Sequence, residues 1–222
     1  MSKDCKRGSI SVQFEDVYFL VQPVLRKGDH LRLSVDLHRG TGKFEVMNEN
    51  IIILTGYIRA IEKGDTHRLF NLAAKNDEPL TLKSDDIYKL LYTRDFNYRD
   101  NFQSIEAANT SLTKASVLWK NNWVTFIDGL FQLNSLKQTQ KACSQPEFVR
   151  KIIINIDEHK TIVDNSENTN LRADVFEVND FTRSGGVIIE NLRFRNITVN
   201  KYDTISLKSL QFVPRFTNYR SN

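Results

Sequence analysis

Two polar side chains inside an apolar stretch are placed to do acid chemistry. From Trp123 to Lys137 the residues Trp123, Val124, Phe126, Ile127, Leu130, Phe131, Leu133 and Leu136 leave almost no polar face, so the segment reads as a helix buried on most sides. Asp128 and Gln132 interrupt it one turn apart and therefore project from the same face. An ionised carboxylate in such surroundings is costly unless it finds partners, and desolvation pushes its pKa upward. A carboxylic acid kept neutral in this way can give its proton to a leaving hydroxyl, with the amide orienting either group. The residues alone leave a second reading open, in which Asp128 is a structural carboxylate bonded to a strand backbone and Gln132 is a bystander.

The elements that must hold this helix are mostly strands. Asn121-Asn122 is an amide pair suited to N-capping it, after a strand through Val117, Leu118 and Trp119. Strands are expected at Val149 to Ile156, Lys160 to Val163, Asp174 to Val178 and Gly186 to Phe194, with Asp157-Glu158-His159 and Ser184-Gly185-Gly186 as turns. Upstream, Ile10 to Glu62 is β throughout, with Phe14 to Val21, the alternation from His30 to His38, and the β-branched run Ile51 to Ile61. Residues 63–82 carry Gly64, Asn76 and Pro79 without periodicity and read as a connector; Ser84-Asp85-Asp86 then caps a short helix whose Ile87, Leu90 and Leu91 face inward.

Composition bounds the function classes. The chain has 222 residues, 40% hydrophobic and 26% charged, with 9 Gly and 4 Pro, which excludes collagen-like and low-complexity classes and is enough for a packed core. A net charge of +4, from 31 basic against 27 acidic residues scattered along the chain, gives little reason to expect nucleic acid as a partner. Two cysteines make no disulfide framework, no apolar run reaches a membrane span, and no signal-peptide core follows Met1, so a soluble cytoplasmic protein is expected. No zinc-ligand spacing, phosphate-binding glycine loop or nucleophile elbow is present. The sequons at Asn109 and Asn196 are given no role.

The run Asn122-Trp123-Val124-Thr125-Phe126-Ile127-Asp128-Gly129-Leu130-Phe131-Gln132 resembles the acid-bearing helix of the dehydratase domain of animal-type fatty acid synthase, with an insect source expected. Phe14-Glu15-Asp16-Val17, Gly40 to Val46, Thr55-Gly56-Tyr57-Ile58, Gln145-Pro146 and Phe212-Val213-Pro214 follow the same family in the same order, over roughly residues 10–216. Asp95 to Gln103 is similar to a further tract, with Arg99 and Asp100 where the family has Gly and Pro. The resemblance implies an α+β double hotdog, two sheets each wrapped round a helix, that removes water from a 3-hydroxyacyl chain on the phosphopantetheine of an acyl carrier protein. It assigns residues 1–62 to remnant strands of the first hotdog, 63–82 to a connector, 83–216 to the second hotdog and 217–222 to a following linker. It makes Asp128 the acid with Gln132 beside it and has Tyr98, Phe102 and Gln103 line the acyl channel. No cofactor is required for dehydration, and the implied partners are the carrier protein, neighbouring synthase domains and a second copy of the synthase, without a membrane.

One departure is decisive for activity. The family's base is a histidine followed after three residues by Gly and after four more by Pro, upstream of the Phe14 match. Here His38 and Gly42 fit the first part but Met47 stands in place of the proline, in the wrong strand. His38 is therefore expected at a solvated strand end, and His30, His67 and His159 at the surface. The first hotdog is expected to be N-terminally incomplete, leaving Phe14, Leu31, Leu33, Val35, Ile51 and Ile53 without a helix to cover them. On its own the chain is expected to be inactive and poorly soluble. The alternatives are a noncatalytic hotdog module, a truncated gene product, or the dehydratase of a polyketide synthase.

Overall fold

A computed structural model describes residues 10–25, 28–61, 78–138, 143–166 and 169–197. Among these residues eleven antiparallel strands form one sheet: β1 (Val12–Phe19), β2 (Leu33–His38), β3 (Lys43–Asn48), β4 (Ile51–Ala60), β5 (Leu82–Lys83), β6 (Ile105–Ala108), β7 (Lys114–Leu118), β8 (Ser144–Ile154), β9 (Asn170–Phe176), β10 (Phe181–Ser184) and β11 (Val187–Asn196). Their spatial order is β2-β3-β4-β1-β8-β11-β10-β9-β7-β6-β5. Among the described residues three α-helices accompany them: α1 (Ser84–Thr93), α2 (Trp123–Lys137) and α3 (Ile156–Asp164). None of the described helices is long and apolar enough to cross a membrane.

The sheet must curl. Helix α2 packs on β7, β10 and β11, while its Phe131 meets Phe19 of β1 with ring centroids 6.3 Å apart. From β1 to β7 the sheet order runs through five strand spacings of about 4.8 Å, more than twice the width of one helix, so only a sheet wrapped round α2 can touch it at both places. The main hydrophobic core follows, running from Val17 and Phe44 through Phe126, Leu130 and Leu133 to Val187 and Ile189, with a smaller cluster of Ile153, Phe181 and Ile188 beside it.

The expected N-cap of α2 is present: Asn122 Oδ1 accepts from the Val124 and Thr125 amides at 2.9 and 3.3 Å. Gly129 lets the helix sit directly on the sheet side, since a Cβ there would lie 2.2 Å from Ser104 Oγ. At the other end Arg94 donates to the Ser135 carbonyl at 2.8 Å, placing a cation at the helix C-terminus where the dipole favours it.

Several expectations need correcting. Residues 156–164 form helix α3, not a turn followed by a strand. The β-branched Thr161, Ile162 and Val163 suggested extension, but Asn155 caps the Glu158 amide at 3.1 Å and Asp157 and Glu158 fill the first turn. In α1 the inward residues are Ile87, Tyr88 and Leu91, whereas Leu90 is exposed; the N-cap is Lys83, whose amide donates to Asp86, and Ser84 is the first helical residue. Strand β9 ends at Phe176 and leaves Val178 in solvent.

Phe14 and Ile53 are covered without a helix of the first strands: Phe14 packs edge-on against Phe44 at 5.8 Å, and Ile53 lines a cavity against α2. Leu33, Val35 and Ile51 are exposed as expected. The expected connector falls largely on residues 62–77, outside the described residues, and its described end, Leu82–Lys83, is already a strand paired with β6.

Candidate active site

Asp128 sits on the face of α2 that turns away from the close-packed core. Gln132 Nε2 donates to Asp128 Oδ2 at 2.6 Å and to the Phe102 carbonyl at 2.8 Å. Its Oε1 accepts from the Tyr88 hydroxyl at 3.0 Å, and the Tyr88 oxygen accepts from the Ile105 amide at 3.0 Å. Every polar atom of Gln132 is thereby engaged, and the amide can face Asp128 only with its NH2 group. Because Oδ2 is the acceptor, a proton on Asp128 belongs on Oδ1.

Burial raises the pKa of Asp128 above the usual carboxylate range, and the Gln132 hydrogen bond offsets part of that shift. Burial likewise pushes Tyr88 up to about 12, so at neutral pH it is a hydroxyl that donates to Gln132. Tyr98 is raised for the same reason, with the nearby Asp128 charge adding to it.

Asp128 lines a cavity of about 790 Å³ between α2 and strands β1, β3, β4, β8 and β11. Its walls are largely apolar, with Phe14, Val17, Phe44 and Leu54 facing the helix. Tyr98 lines this cavity and also a smaller one of about 510 Å³. Phe102 differs from expectation: its ring does not line the large cavity, and its contribution is the backbone carbonyl that accepts from Gln132. Gln103 donates to the Tyr98 carbonyl at 2.9 Å and lines the smaller cavity. The sequence reading missed Tyr88, whose available signal was an i, i+1, i+4 inward pattern in α1.

No histidine among the described residues lines the large cavity. His30 and His38 are exposed, and His67 lies outside the described residues. His159, expected at the surface, is 2% exposed and packs against the rings of Trp119, Trp123 and Phe126 at 4.3 to 5.2 Å. Its Nδ1 accepts from the Gly186 amide at 3.2 Å, and burial lowers its pKa to about 4, so it is neutral. Asn109, the first sequon asparagine, is fully buried and donates to Glu78, Ser111 and Thr113.

No protein-family model matches the sequence. Solved structures match the fold. The dehydratase domain from the CurF module of the curacin polyketide synthase aligns with a TM-score of 0.62 at 14% identity, over 86% of this chain and 77% of that one. The dehydratase domain from the CurK module aligns at 0.61 and 16% identity, over 89% and 79%. That of RzxB from Pseudomonas fluorescens aligns at 0.55 and 9% identity, over 85% and 77%. Two further CurK structures are of inactive mutants, one with a histidine changed to phenylalanine and one with an aspartate changed to asparagine. At these identities the likeness is one of fold: an antiparallel sheet with few helices, as in hotdog-type dehydratase domains of multidomain synthases.

Proposed function

We propose that the chain supplies the acid half of a dehydratase acting on 3-hydroxyacyl thioesters carried on the phosphopantetheine of an acyl carrier protein, within a homodimeric synthase. The observation that carries this reading is the buried Asp128 carboxyl, fixed by Gln132 and opening onto an apolar cavity of about 790 Å³. The sequence resemblance favours a fatty acid synthase; the fold likeness is to polyketide synthase domains, which use suits equally. The architecture in this reading is a double hotdog whose first unit contributes the facing wall.

In the reaction a base removes the proton from C2, the C2–C3 double bond forms, and the C3–O bond breaks. Asp128 Oδ1 gives its proton to the departing hydroxyl, which leaves as water. The resulting carboxylate keeps the Gln132 hydrogen bond, which is worth more to the ion than to the acid. Since the working form is protonated, turnover should fall as pH rises through the elevated pKa of Asp128.

A second reading is favoured by one observation: the wall facing Asp128 holds no imidazole among the described residues, as suits a noncatalytic acyl-binding module. Enoyl formation from a 3-hydroxyacyl pantetheine thioester, measured with and without added imidazole as an external base, separates the two. The dehydratase reading expects imidazole-dependent turnover that drops about 10²- to 10⁴-fold in Asp128→Asn. Binding of the thioester with no Asp128-dependent turnover, alone, with imidazole or in the assembled synthase, supports the module.

A further inference from the structure

The cavity beside Asp128 has different ends. Helix α2 lines it with Trp123, Val124, Ile127, Asp128, Phe131 and Ser135, one face along about 18 Å of axis at 1.5 Å per residue. Strand register fixes what lies at each end. Phe14 pairs with Ile152, and Val12 with Ile154; five residues on from Phe14, Phe19 meets Phe131. Beyond that level Arg195 pairs with Gln145, and Asn196 with Ser144. The Trp123 end is therefore walled by Phe14, Phe44, Ile152 and Ile154, all apolar. The Ser135 end carries Ser144, Gln145 and Arg195, together with Asp95, whose neighbour Arg94 bonds the Ser135 carbonyl. Arg195 is the one lysine or arginine lining the cavity among the described residues, and it is half-buried. Asp95 is already engaged electrostatically: burial raises the pKa of the neighbouring Cys143, and the Asp95 charge adds to it.

A phosphopantetheine thioester has matching asymmetry. On one side of its sulfur lie two amides and a phosphate, and on the other lies hydrocarbon. Seating it with the reacting C3 at Asp128 leaves about 7.5 Å of helix towards Trp123 and about 10.5 Å towards Ser135. Only one direction puts the amides and phosphate against polar groups; the reverse would desolvate them among Phe14, Phe44 and Ile152. Resting on the thioester reading above, we propose that the cavity binds its ligand in one direction. The acyl tail runs to the Phe14/Phe44/Ile152 end, and the phosphopantetheine arm leaves past Ser135, with its phosphate on Arg195.

The test is calorimetric and needs no turnover. The probes are stable 3-hydroxyalkyl thioethers of phosphopantetheine and of dephosphorylated pantetheine, each with a short and a long tail. Arg195→Gln should weaken the phosphorylated probes about tenfold and leave the dephosphorylated ones unchanged, while Arg195→Lys should restore most of the loss. Ile152→Trp should reject the long tail and keep the short one. Equal weakening of both probe forms in Arg195→Gln would overturn the role of Arg195. Tail-length discrimination altered by Gln145→Trp but not by Ile152→Trp would reverse the direction. Wild-type protein that binds without regard to phosphate or to Ile152 overturns the direction and leaves the thioester reading standing. Wild-type protein that binds neither probe overturns both.

Discussion

At the scale of residues, the site depends on a hydroxyl that does not touch the Asp128 carboxyl. The Phe102 carbonyl holds the NH2 group of Gln132, and Tyr88 holds its oxygen, a second constraint on which end of the amide faces Asp128. Tyr88→Phe removes that constraint and leaves the Ile105 amide without its acceptor, which costs about 1–3 kcal/mol. With only the Phe102 carbonyl still holding the NH2 group, the amide turns its oxygen towards the carboxyl more often; the neutral acid then gains an acceptor and the carboxylate loses a donor. The carboxyl stretch of Asp128, followed by infrared difference spectroscopy, should then titrate at higher pH in Tyr88→Phe than in wild type. An unchanged midpoint would show that Tyr88 is only packing. Asp128 and Gln132 were legible because polar residues in an apolar helix are costly and must have a reason to be there. Tyr88 was not, because it acts on Gln132 from 44 positions upstream, and the pattern of α1 pointed to Leu90 instead. His159 hid in an Asp-Glu-His run that reads as a turn, although its ring is among the most enclosed in the fold.

Elements carry the next level of control. Helix α2 was recognisable from its apolar pattern and its asparagine cap, whereas α3 was mistaken for a strand because three β-branched residues outweighed the cap and the acids that start it. Gly129 was a missed signal. A glycine costs roughly 1 kcal/mol in mid-helix, so its presence implies close packing, here against Ser104 and Val117. Gly129→Ala removes that cost but drives a methyl group into Ser104, so it should be net destabilising by about 1–3 kcal/mol in chemical denaturation. It should also shift Asp128, its neighbour in sequence. Ser104→Gly in the same background should recover most of the loss; failure to do so would place the strain elsewhere.

The clamp made by α3 and the β10–β11 turn gives a pH dependence. His159 has a folded pKa of about 4, below the usual 6.5, so the unfolded chain binds the proton more readily. Its contribution is complete above pH 6.5 and is lost as pH falls from 6.5 to 4, by up to ~3 kcal/mol. Asp128 works in the opposite sense. Its raised pKa means that stability is lost as pH rises from the usual carboxylate value to the elevated one. Melting curves of His159→Phe should flatten the first slope, and those of Asp128→Asn the second.

For the whole molecule, the unbalanced feature is the end of the sheet at β2. Leu33, Val35 and Leu37 are 51%, 64% and 53% exposed, although Val35 and Leu37 pair with Val46 and Phe44, which lean on the core. Beyond β2 no further strand is paired among the described residues, so an apolar edge strand offers unpaired backbone groups and a row of side chains together. The strand-only character of the described part of this region was legible from its alternation. What sequence did not reveal is that the sheet curls far enough for Phe14, Phe44 and Ile53 to find cover while the last strand does not. Burying these side chains against a second copy is worth on the order of 1.5–3 kcal/mol each, on both copies, and with backbone pairing at the open edge this favours weak association that grows with concentration. Sedimentation of the chain should therefore show mass increasing with concentration. Val35→Lys places a charge on the exposed edge and should shift that association to higher concentration by at least about tenfold. No residue of β2 lines the cavity beside Asp128, so the same variant should bind a 3-hydroxyacyl thioether as the wild type does. Association that is indifferent to Val35→Lys would move the self-contact to another face of the sheet.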